Sequence, residues 1–395
     1  MVTFVFTNPR HHVDMMVPVA RQLASRGEQT RFVSLAELRG LRTPDLTEQV
    51  PNTSVTRVLP PWIRRNPSAG AGIGESGGAG AVARRTLQRI AWHGVLGPRL
   101  RRLVRGSDVV VVPNDAAFPY GPLARELRRD GVPFALLQEG IRFPLPTEHL
   151  AGAPYGGSGA SAVCVWGEAS AEHFRNVTSS AAVCVTGNPR WDEVDPRSWE
   201  PRGEALLQRL GLAKRPLLYL SNTVDDQGFC TTEQKMQLFA DFVAHAAPVL
   251  ARDGRALVVK LHQRENVEAF RRVAAHSGAP VHVLGTESLF EVLAIGQAAV
   301  VLASTVGLEA LAFGLPLGVL ALPRHGHVFE YVSRGAAAGL TLDNLAEELP
   351  ALLATPRGSR PTTEAFLERH MAHRGEAASR IAGRLLELRT TRRSS

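Results

Sequence analysis

Short apolar runs recur along this chain of 395 residues, with helical stretches between them. The runs are rich in Val and Leu and end in turn residues, as in VTFVFT at 2–7 and DVVVV at 108–112. Such runs are typical of parallel strands buried on both faces, because a strand with one face in water alternates apolar and polar residues. Their alternation with helices predicts βαβ units and therefore an α/β fold.

The apolar runs fall into two groups, which predicts two sheets. The first group predicts strands at 2–7, 30–35, 55–59, 108–112, 133–137, 162–166 and 182–186, and the second at 217–221, 256–260, 281–284, 299–303 and 317–321. We therefore expect Rossmann-like domains at 1–190 and 216–360, joined by a proline-bearing linker at 191–215. A C-terminal helix and tail at 361–395, with a helical pattern over 361–389, can return to the first domain. Two such domains would enclose a central cleft.

The charge of the chain restricts its partners. A net charge of +8 suits an anionic ligand, nucleic acid or an acidic membrane surface. The arginines are scattered over helical segments without the interleaved aromatic residues that stack on bases. Nucleic acid is therefore not expected as a partner, whereas peripheral contact with a membrane stays open.

Neither a metal nor another cofactor is expected. Cys164, Cys184 and Cys230 show no CxxC spacing and no neighbouring set of histidines, and no DxD-like pair follows a strand to hold Mg²⁺. The N-terminus enters a strand without a basic signal segment, and no apolar run reaches the length of a membrane span. These features predict a cytoplasmic protein.

Residues that follow the predicted strands are the candidates for a site, because ligands of open parallel sheets bind beyond the carboxyl ends of the strands. Ser304, Thr305 and Gly307 would stand at the start of a helix, where free N–H groups and the helix dipole attract phosphate. Glu309, on the first turn, is placed to accept the hydroxyls of a ribose. In the alternative interpretation, Ser304 only caps the helix.

Two segments of the second group resemble known enzymes. VVLASTVGLEALAFGLPLGVL, at 300–320, resembles the donor-site strand, turn, helix and strand of GT-B glycosyltransferases, which act on nucleotide-linked sugars. ALVVKLHQREN, at 256–266, resembles the Lys-x-His-Pro segment of capsule-building transferases and bacterial sialyltransferases, with Gln263 in place of Pro. This resemblance implies that His262, beside Lys260, contacts the donor phosphate; a lone His after a strand is otherwise a structural hydrogen-bonding residue.

Further donor contacts follow two other strands of the second group. Ser221 and Asn222, in LYLSNT at 218–223, are candidates to bind phosphate or acceptor. The GT-B resemblance also implies that the nucleobase approaches the backbone at Gly285, after VHVL. Ser221 and Asn222 lie at the predicted mouth of the cleft.

The end of the first group carries a Gly-Asn-Pro turn. VTGNPRWDEV, at 185–194, resembles the Gly-Asn-Pro-x-x-Asp stretch of surface-polysaccharide transferases and of nonhydrolysing UDP-N-acetylglucosamine 2-epimerases. We interpret it as structural, with a possible hinge function, and expect Asp192 to cap the next helix.

Two regions of the first group offer a base for the hydroxyl proton that sugar transfer releases. LLQEGIRFP, at 136–144, resembles the acid-then-Gly motif of bacterial sialyltransferases, which implies that Glu139 is the base; a solvated loop residue is the alternative. His11, His12 and Asp14 stand directly after the first strand, where plant- and antibiotic-type GT-B enzymes place a His held by an Asp. Both candidates stay open.

Residues 66–81, NPSAGAGIGESGGAGA, form the least core-like stretch of the sequence. Their Gly and Ala content predicts a mobile surface loop. In a transferase this position would suit a lid on the acceptor side, and a passive linker is equally compatible.

The motifs together predict a metal-independent glycosyltransferase with a nucleotide-sugar donor and a small-molecule or glycan acceptor. A UDP-sugar 2-epimerase on the same fold is the first alternative, although those enzymes carry a Ser-Gly-Gly turn and paired Glu residues where this chain has Ser304-Thr305-Val306-Gly307 and a single Glu309. A glycerophosphotransferase that uses CDP-glycerol and a basic nucleic-acid-binding module are the others. The motifs select no donor sugar, nucleobase, stereochemical course or oligomeric state.

Overall fold

Two parallel sheets organise the chain in a computed structural model that describes residues 1–60, 86–141 and 154–394. The strands of the first sheet are β1 (Val2–Phe6), β2 (Thr30–Ser34), β3 (Thr53–Arg57), β4 (Val109–Val112), β5 (Phe134–Leu137), β6 (Ala162–Val165) and β7 (Val183–Val185). Their order is β3-β2-β1-β4-β5-β6-β7, and neighbouring strands are parallel. The loop predicted at 66–81 lies outside the described residues.

The second sheet repeats this plan. Its strands are β8 (Leu217–Leu220), β9 (Leu257–Lys260), β10 (Val281–Leu284), β11 (Ala298–Val301), β12 (Leu317–Leu320) and β13 (Ala338–Leu340), in the order β10-β9-β8-β11-β12-β13. The prediction of two Rossmann-like domains is confirmed, and each predicted strand forms within two residues of its expected ends. The three-residue strand β13 was not predicted, because AGL is too short and too poor in β-branched residues to stand out.

Helices lie between successive strands and after the last strand. They are α1 (His11–Ser25), α2 (Gly97–Val104), α3 (Tyr120–Arg129), α4 (Glu168–Arg175), α5 (Glu200–Arg209), α6 (Thr232–Asp253), α7 (Val267–Ala275), α8 (Leu289–Ile295), α9 (Val306–Ala312), α10 (Leu345–Ala354), α11 (Pro361–His370) and α12 (Ala377–Ser394). Local sequence sets their ends: α6 starts at a capping box of Thr231 and Gln234 and stops at Gly254, whose φ of 63° is left-handed. Over the described residues, none of these helices has the length and apolar character that a bilayer span requires.

Both faces of the first sheet are buried. Val109 and Val111 of β4 pack in one core with Met16 of α1, whereas Val110 and Val112 pack in a second core with Leu123 of α3. Alternate side chains of a strand point to opposite faces, so a strand between two cores must be apolar throughout. This explains the unbroken VVVV run that marked β4 in the sequence.

The chain divides into two compact units. Among the described residues, the first unit contains 1–60, 86–141, 154–194 and 368–394, and the second contains 195–367. The residues that the sequence analysis assigns to a linker, 191–215, are therefore mostly part of the second unit. There α5 packs against α8 so closely that a Cβ on Gly203 would lie 2.8 Å from the Cβ of Ala294.

The C-terminal helical pattern is interrupted. Instead of one helix over 361–389, the structure has α11 and α12, with left-handed φ angles of 54° at His373 and 91° at Gly375 between them. The expectation of one continuous pattern is wrong at this point, because helical periodicity does not reveal a break made by tertiary contacts. Ile381 and Leu385 of α12 belong to the core of the first unit, beside α1.

Asp192 makes one of those contacts. Its Oδ1 accepts the backbone N–H groups of Gly375 at 3.1 Å and Ala377 at 3.0 Å, and its Oδ2 accepts that of Ala378 at 2.6 Å. Asp192 therefore caps α12, which is distant in sequence, and not the next helix as expected. A carboxylate at a helix N-terminus satisfies free N–H groups and opposes the positive end of the helix dipole.

We expect Asp192→Ala to lower the free energy of unfolding of the first unit by about 2 kcal/mol, because capping side chains contribute roughly 0.5–2 kcal/mol and charge-assisted bonds more. Asp192→Asn should cost less, since one amide oxygen still accepts. Urea unfolding measures both. The control is Glu193→Gln, which removes only an exposed pair with Arg21; an equal loss in this control would reject the capping function.

Candidate functional site

The first unit gathers polar side chains where its strand order reverses. From β1 the chain passes outward to β2 and β3, then returns to the other side of β1 with β4. The segments that follow β1, β4 and β5 carry His12, Asn114 and Glu139, and these three side chains meet. Such a switch point is where open α/β sheets bind ligands.

Glu139 lies at the centre of this cluster. Its Oε2 is 3.1 Å from Nε2 of His12, its Oε1 accepts Nδ2 of Asn114 at 2.8 Å, and one third of its side chain is exposed (33%). Burial raises the pKa of this carboxyl, but the hydrogen bonds from His12 and Asn114 outweigh burial and hold the pKa below its ordinary value. Glu139 is therefore an ionised carboxylate with a partly open face.

His12 is the inner partner. Its Nδ1 is approached by the backbone N–H groups of Thr7 at 3.4 Å and Asn8 at 3.3 Å, so Nδ1 accepts and the ring proton lies on Nε2, which donates to Glu139. The hydroxyl of Tyr120, also 3.3 Å from Nδ1, donates to Oγ1 of Thr7. With 2% of its surface exposed, His12 orients Glu139 and has no room to meet a ligand directly.

His11 and Asp14 occupy different positions. Nε2 of His11 is 2.6 Å from the backbone oxygen of Glu139 and donates to it. Burial lowers the pKa of His11, which keeps the ring neutral at pH 7. Asp14 lies on the exposed side of α1 and makes no hydrogen bond to either histidine in the described part of the chain. The expected His–Asp pair is thus replaced by a His12–Glu139 pair, because strand β5 brings Glu139 to the imidazole.

The second unit has its own switch point, between β8 and β11. Ser221 and Asn222 follow β8, and Nδ2 of Asn222 donates to the backbone oxygen of Ala303, after β11, at 2.6 Å. Oδ1 of Asn222 is buried and has no hydrogen-bond partner among the described residues. A buried acceptor without a donor is costly, so a ligand hydroxyl or N–H would fit there.

A buried carboxylate ties the strand ends of this unit together. Glu265, whose side chain is 1% exposed, accepts Oγ of Ser221 at 2.7 Å and the backbone N–H of His262 at 2.8 Å. Lys235 of α6 lies 3.3 Å from Glu265 and 2.7 Å from Asp225 and forms an ion pair with each carboxylate. Sequence reasoning missed Lys235, because no motif surrounds it within its long helix.

Lys260 and His262, at the end of β9, make different hydrogen bonds. Nζ of Lys260 donates to the backbone oxygens of Leu261 at 2.9 Å and Gly285 at 3.2 Å, so it joins the ends of β9 and β10. Nδ1 of His262 accepts the backbone N–H of Arg264 at 3.3 Å. Burial lowers the pKa of His262 to about 4. The ring is therefore neutral at pH 7, with its proton on Nε2 as a hydrogen-bond donor.

The turn after β11 is shaped by Tyr331. Its hydroxyl donates to the backbone oxygen of Ser304 at 2.9 Å, and a Cβ on Gly307 would lie 2.6 Å from its ring. Gly307 is thus required by this packing. Oγ of Ser304 accepts the N–H of Val306 at 3.3 Å, as expected if Ser304 caps the helix. Thr305 is half-buried, and Glu309 is 4% exposed. Phosphate binding by this turn stays a prediction.

Known proteins resemble this chain in structure and not in sequence. No protein-family model and no curated protein sequence matches it. A UDP-GlcNAc 2-epimerase from Neisseria meningitidis, solved with UDP-GlcNAc bound, superimposes with a TM-score of 0.58 at 14% identity, over 98% of this chain and 99% of that one. The chain has the GT-B fold.

Two further structures share this fold. The wall teichoic acid polymerase TagF matches with a TM-score of 0.57 at 10% identity, over 100% of this chain and 90% of that one. A calicheamicin glycosyltransferase matches with a TM-score of 0.54 at 14% identity, over 98% and 97%. The GT-B resemblance seen in the motifs is confirmed at the level of fold. Within the described residues, no cluster of three or more His, Cys, Asp or Glu side chains is arranged to hold a metal ion.

The buried, neutral His262 predicts an acid-sensitive fold. An exposed His has a pKa near 6.5, whereas burial lowers that of His262 to about 4, so the unfolded chain takes up this proton first. The contribution of His262 to stability is complete above pH 6.5 and falls as the pH drops toward 4. We expect the urea midpoint to fall more steeply over this range in the wild type than in His262→Gln; parallel pH profiles would contradict the burial account.

Proposed function

We propose that the chain is a glycosyltransferase that moves a sugar from a nucleotide-activated donor to an acceptor hydroxyl or amine without a metal ion. The observation that carries the proposal is the Glu139 carboxylate, held by His12 and Asn114 with a partly open face. The GT-B fold, shared with a calicheamicin glycosyltransferase, supports it. A second support is the set of polar groups at the strand ends of the second unit.

In this proposal the first unit binds and activates the acceptor. As the new C–O bond forms at the anomeric carbon, the acceptor O–H becomes acidic and its proton passes to Glu139. The bond from that carbon to the nucleotide breaks at the same time, and the leaving phosphate keeps the electron pair. Asn114 and His12 fix the carboxylate without removing all of its lone pairs. Both are positioning residues, and Glu139 is the base.

The second unit binds the nucleotide-sugar donor. Nε2–H of His262 is the donor for the leaving phosphate oxygen, whose charge grows toward the transition state. Thr305 and the backbone of the turn after β11 are further phosphate contacts, with Ser221 and Lys260 holding the strand ends. The free oxygen of Asn222 accepts a hydroxyl or N–H of the nucleotide, while Glu309 and Gly285 remain our assignments for ribose and nucleobase.

The turn after β11 favours transfer over epimerisation. The epimerases are expected to carry paired Glu residues there, whereas this chain has the single Glu309.

The donor nucleotide has to be identified first. A thermal-shift panel of UDP, TDP, GDP, CDP and CMP does this, because a ligand at 100 times its dissociation constant stabilises its protein by about 2.7 kcal/mol. A cytidine nucleotide as the strongest ligand would support the alternative of a CDP-glycerol donor and transfer of glycerol phosphate.

With donor and acceptor in hand, we expect Glu139→Gln to lower turnover by about 10²–10⁴-fold, the usual contribution of a general base. Nucleotide affinity should not change, because its contacts lie in the second unit. His11→Ala and Asp14→Asn test the competing assignment and should stay near wild type. Near wild-type turnover in Glu139→Gln, with a large loss in His11→Ala, would transfer the base function to His11.

His12→Phe separates positioning from catalysis. It fills the buried site but removes the proton that Nε2 donates to Glu139. The pKa of Glu139 should then rise, so the acid limb of the kcat/KM profile should move to higher pH while part of the activity remains. An unmoved limb would show that His12 does not act through Glu139.

The second candidate function is a UDP-sugar 2-epimerase, favoured by the match to the Neisseria meningitidis enzyme over nearly the whole chain. The two functions differ in whether an acceptor is needed. Incubation with UDP-N-acetylglucosamine alone in deuterated water distinguishes them. We expect no deuterium at C2 of the sugar; incorporation would establish the epimerase and reject the transferase.

A further inference from the structure

Exposed large apolar side chains cluster at one place in the first unit. Of the four that are exposed in the described residues, Leu87, Ile90 and Val95 lie within nine positions, with exposures of 65%, 64% and 41%. Residues 86–91 are helical and continue through a π-helical turn, Trp92–Leu96, into α2. We call residues 86–105 the basic helix.

The opposite face of the basic helix is anchored in the protein. Trp92, Leu96, Leu100 and Val104 are buried in the core beneath the first sheet. Nε1 of Trp92 also donates to Oε1 of Glu126 at 3.2 Å. One face of the helix is therefore already packed against the core. The exposed Leu87 and Ile90 form a second apolar surface that the core does not cover.

The charge of this helix is of one sign. Residues 86–106 contain five arginines and neither Asp nor Glu, and all five arginines are exposed. Arg101 pairs with Glu126 at 3.1 Å, and Arg99 donates to a backbone oxygen. Arg89, Arg102 and Arg105 have no acidic partner in the part of the chain that the structure covers.

We infer that the basic helix docks on the surface of a membrane that contains anionic lipid. Leu87, Ile90 and Val95 enter the boundary between headgroups and acyl chains, and the arginines bind lipid phosphates. Stable attachment without a spanning segment takes an apolar contribution together with attraction to anionic headgroups, and this helix carries both.

Exposed aliphatic side chains beside arginines favour an anionic lipid surface over nucleic acid as the partner. Proteins that bind single-stranded nucleic acid stack its bases on exposed aromatic side chains, but Trp92, the large aromatic residue of this helix, is buried. Exposed aliphatic side chains gain nothing from a phosphate backbone in water, whereas they are stabilised among acyl chains.

Vesicle co-sedimentation of the full chain tests the inference. We expect binding to vesicles of phosphatidylglycerol and phosphatidylcholine in equal parts, little binding to phosphatidylcholine alone, and release by added NaCl. Replacing Arg89, Arg102 and Arg105 by Gln should weaken binding by roughly a hundredfold, since each basic residue near an anionic surface contributes about fivefold. Leu87→Ser with Ile90→Ser should weaken it by at least about tenfold.

The matched control replaces Arg252, Arg271 and Arg272 by Gln, an equal loss of charge from exposed positions of the second unit. It should bind as the wild type, and thermal unfolding checks that every variant folds. Wild-type protein that does not sediment, or a control as weak as the basic-helix variant, would overturn the inference. A third outcome would also overturn it: only the arginine variant loses vesicle binding, and the wild type binds duplex DNA as tightly as vesicles. That outcome would assign the surface to nucleic acid.

Discussion

The structure depends on one constraint: strands buried on both faces run parallel, so all their carboxyl ends lie at the same edge of a sheet. Each turn that leaves a strand then delivers its polar residues to that edge. His12, Asn114 and Glu139 come from three separate segments and meet for this reason. In the second unit the same geometry brings Ser221, His262 and the turn after β11 to one edge.

Each unit uses a glutamate to join strand ends, with different results. Glu265 is enclosed, saturated by Ser221, His262 and Lys235, and suited to holding structure. Glu139 accepts two hydrogen bonds and keeps a third of its side chain in contact with solvent. A carboxylate with spare lone pairs and an open face can exchange a proton with a ligand, whereas a saturated one cannot.

Packing explains several residues that a motif would assign to a ligand. Gly307 makes room for the ring of Tyr331, and Nζ of Lys260 is held by two backbone carbonyls. In our proposal, Thr305 and the neutral ring of His262 are the positions that contact the ligand. Within one motif, then, some positions build the site and others are available to bind.

The sequence by itself determined the architecture: apolar runs between helices specified both sheets, because burial on two faces leaves a direct mark on composition. The position of residues after strands, together with the resemblance to GT-B motifs, also indicated Glu139, His12 and Ser221 as candidates. Only the tertiary structure decided their partners. Asn114 for Glu139, Lys235 for Glu265 and α12 for Asp192 all lie far apart in the chain, and α12 was missed as a separate helix. Hydrogen bonds between distant segments depend on how helices and strands pack, and a single sequence carries no periodic signal of such pairs.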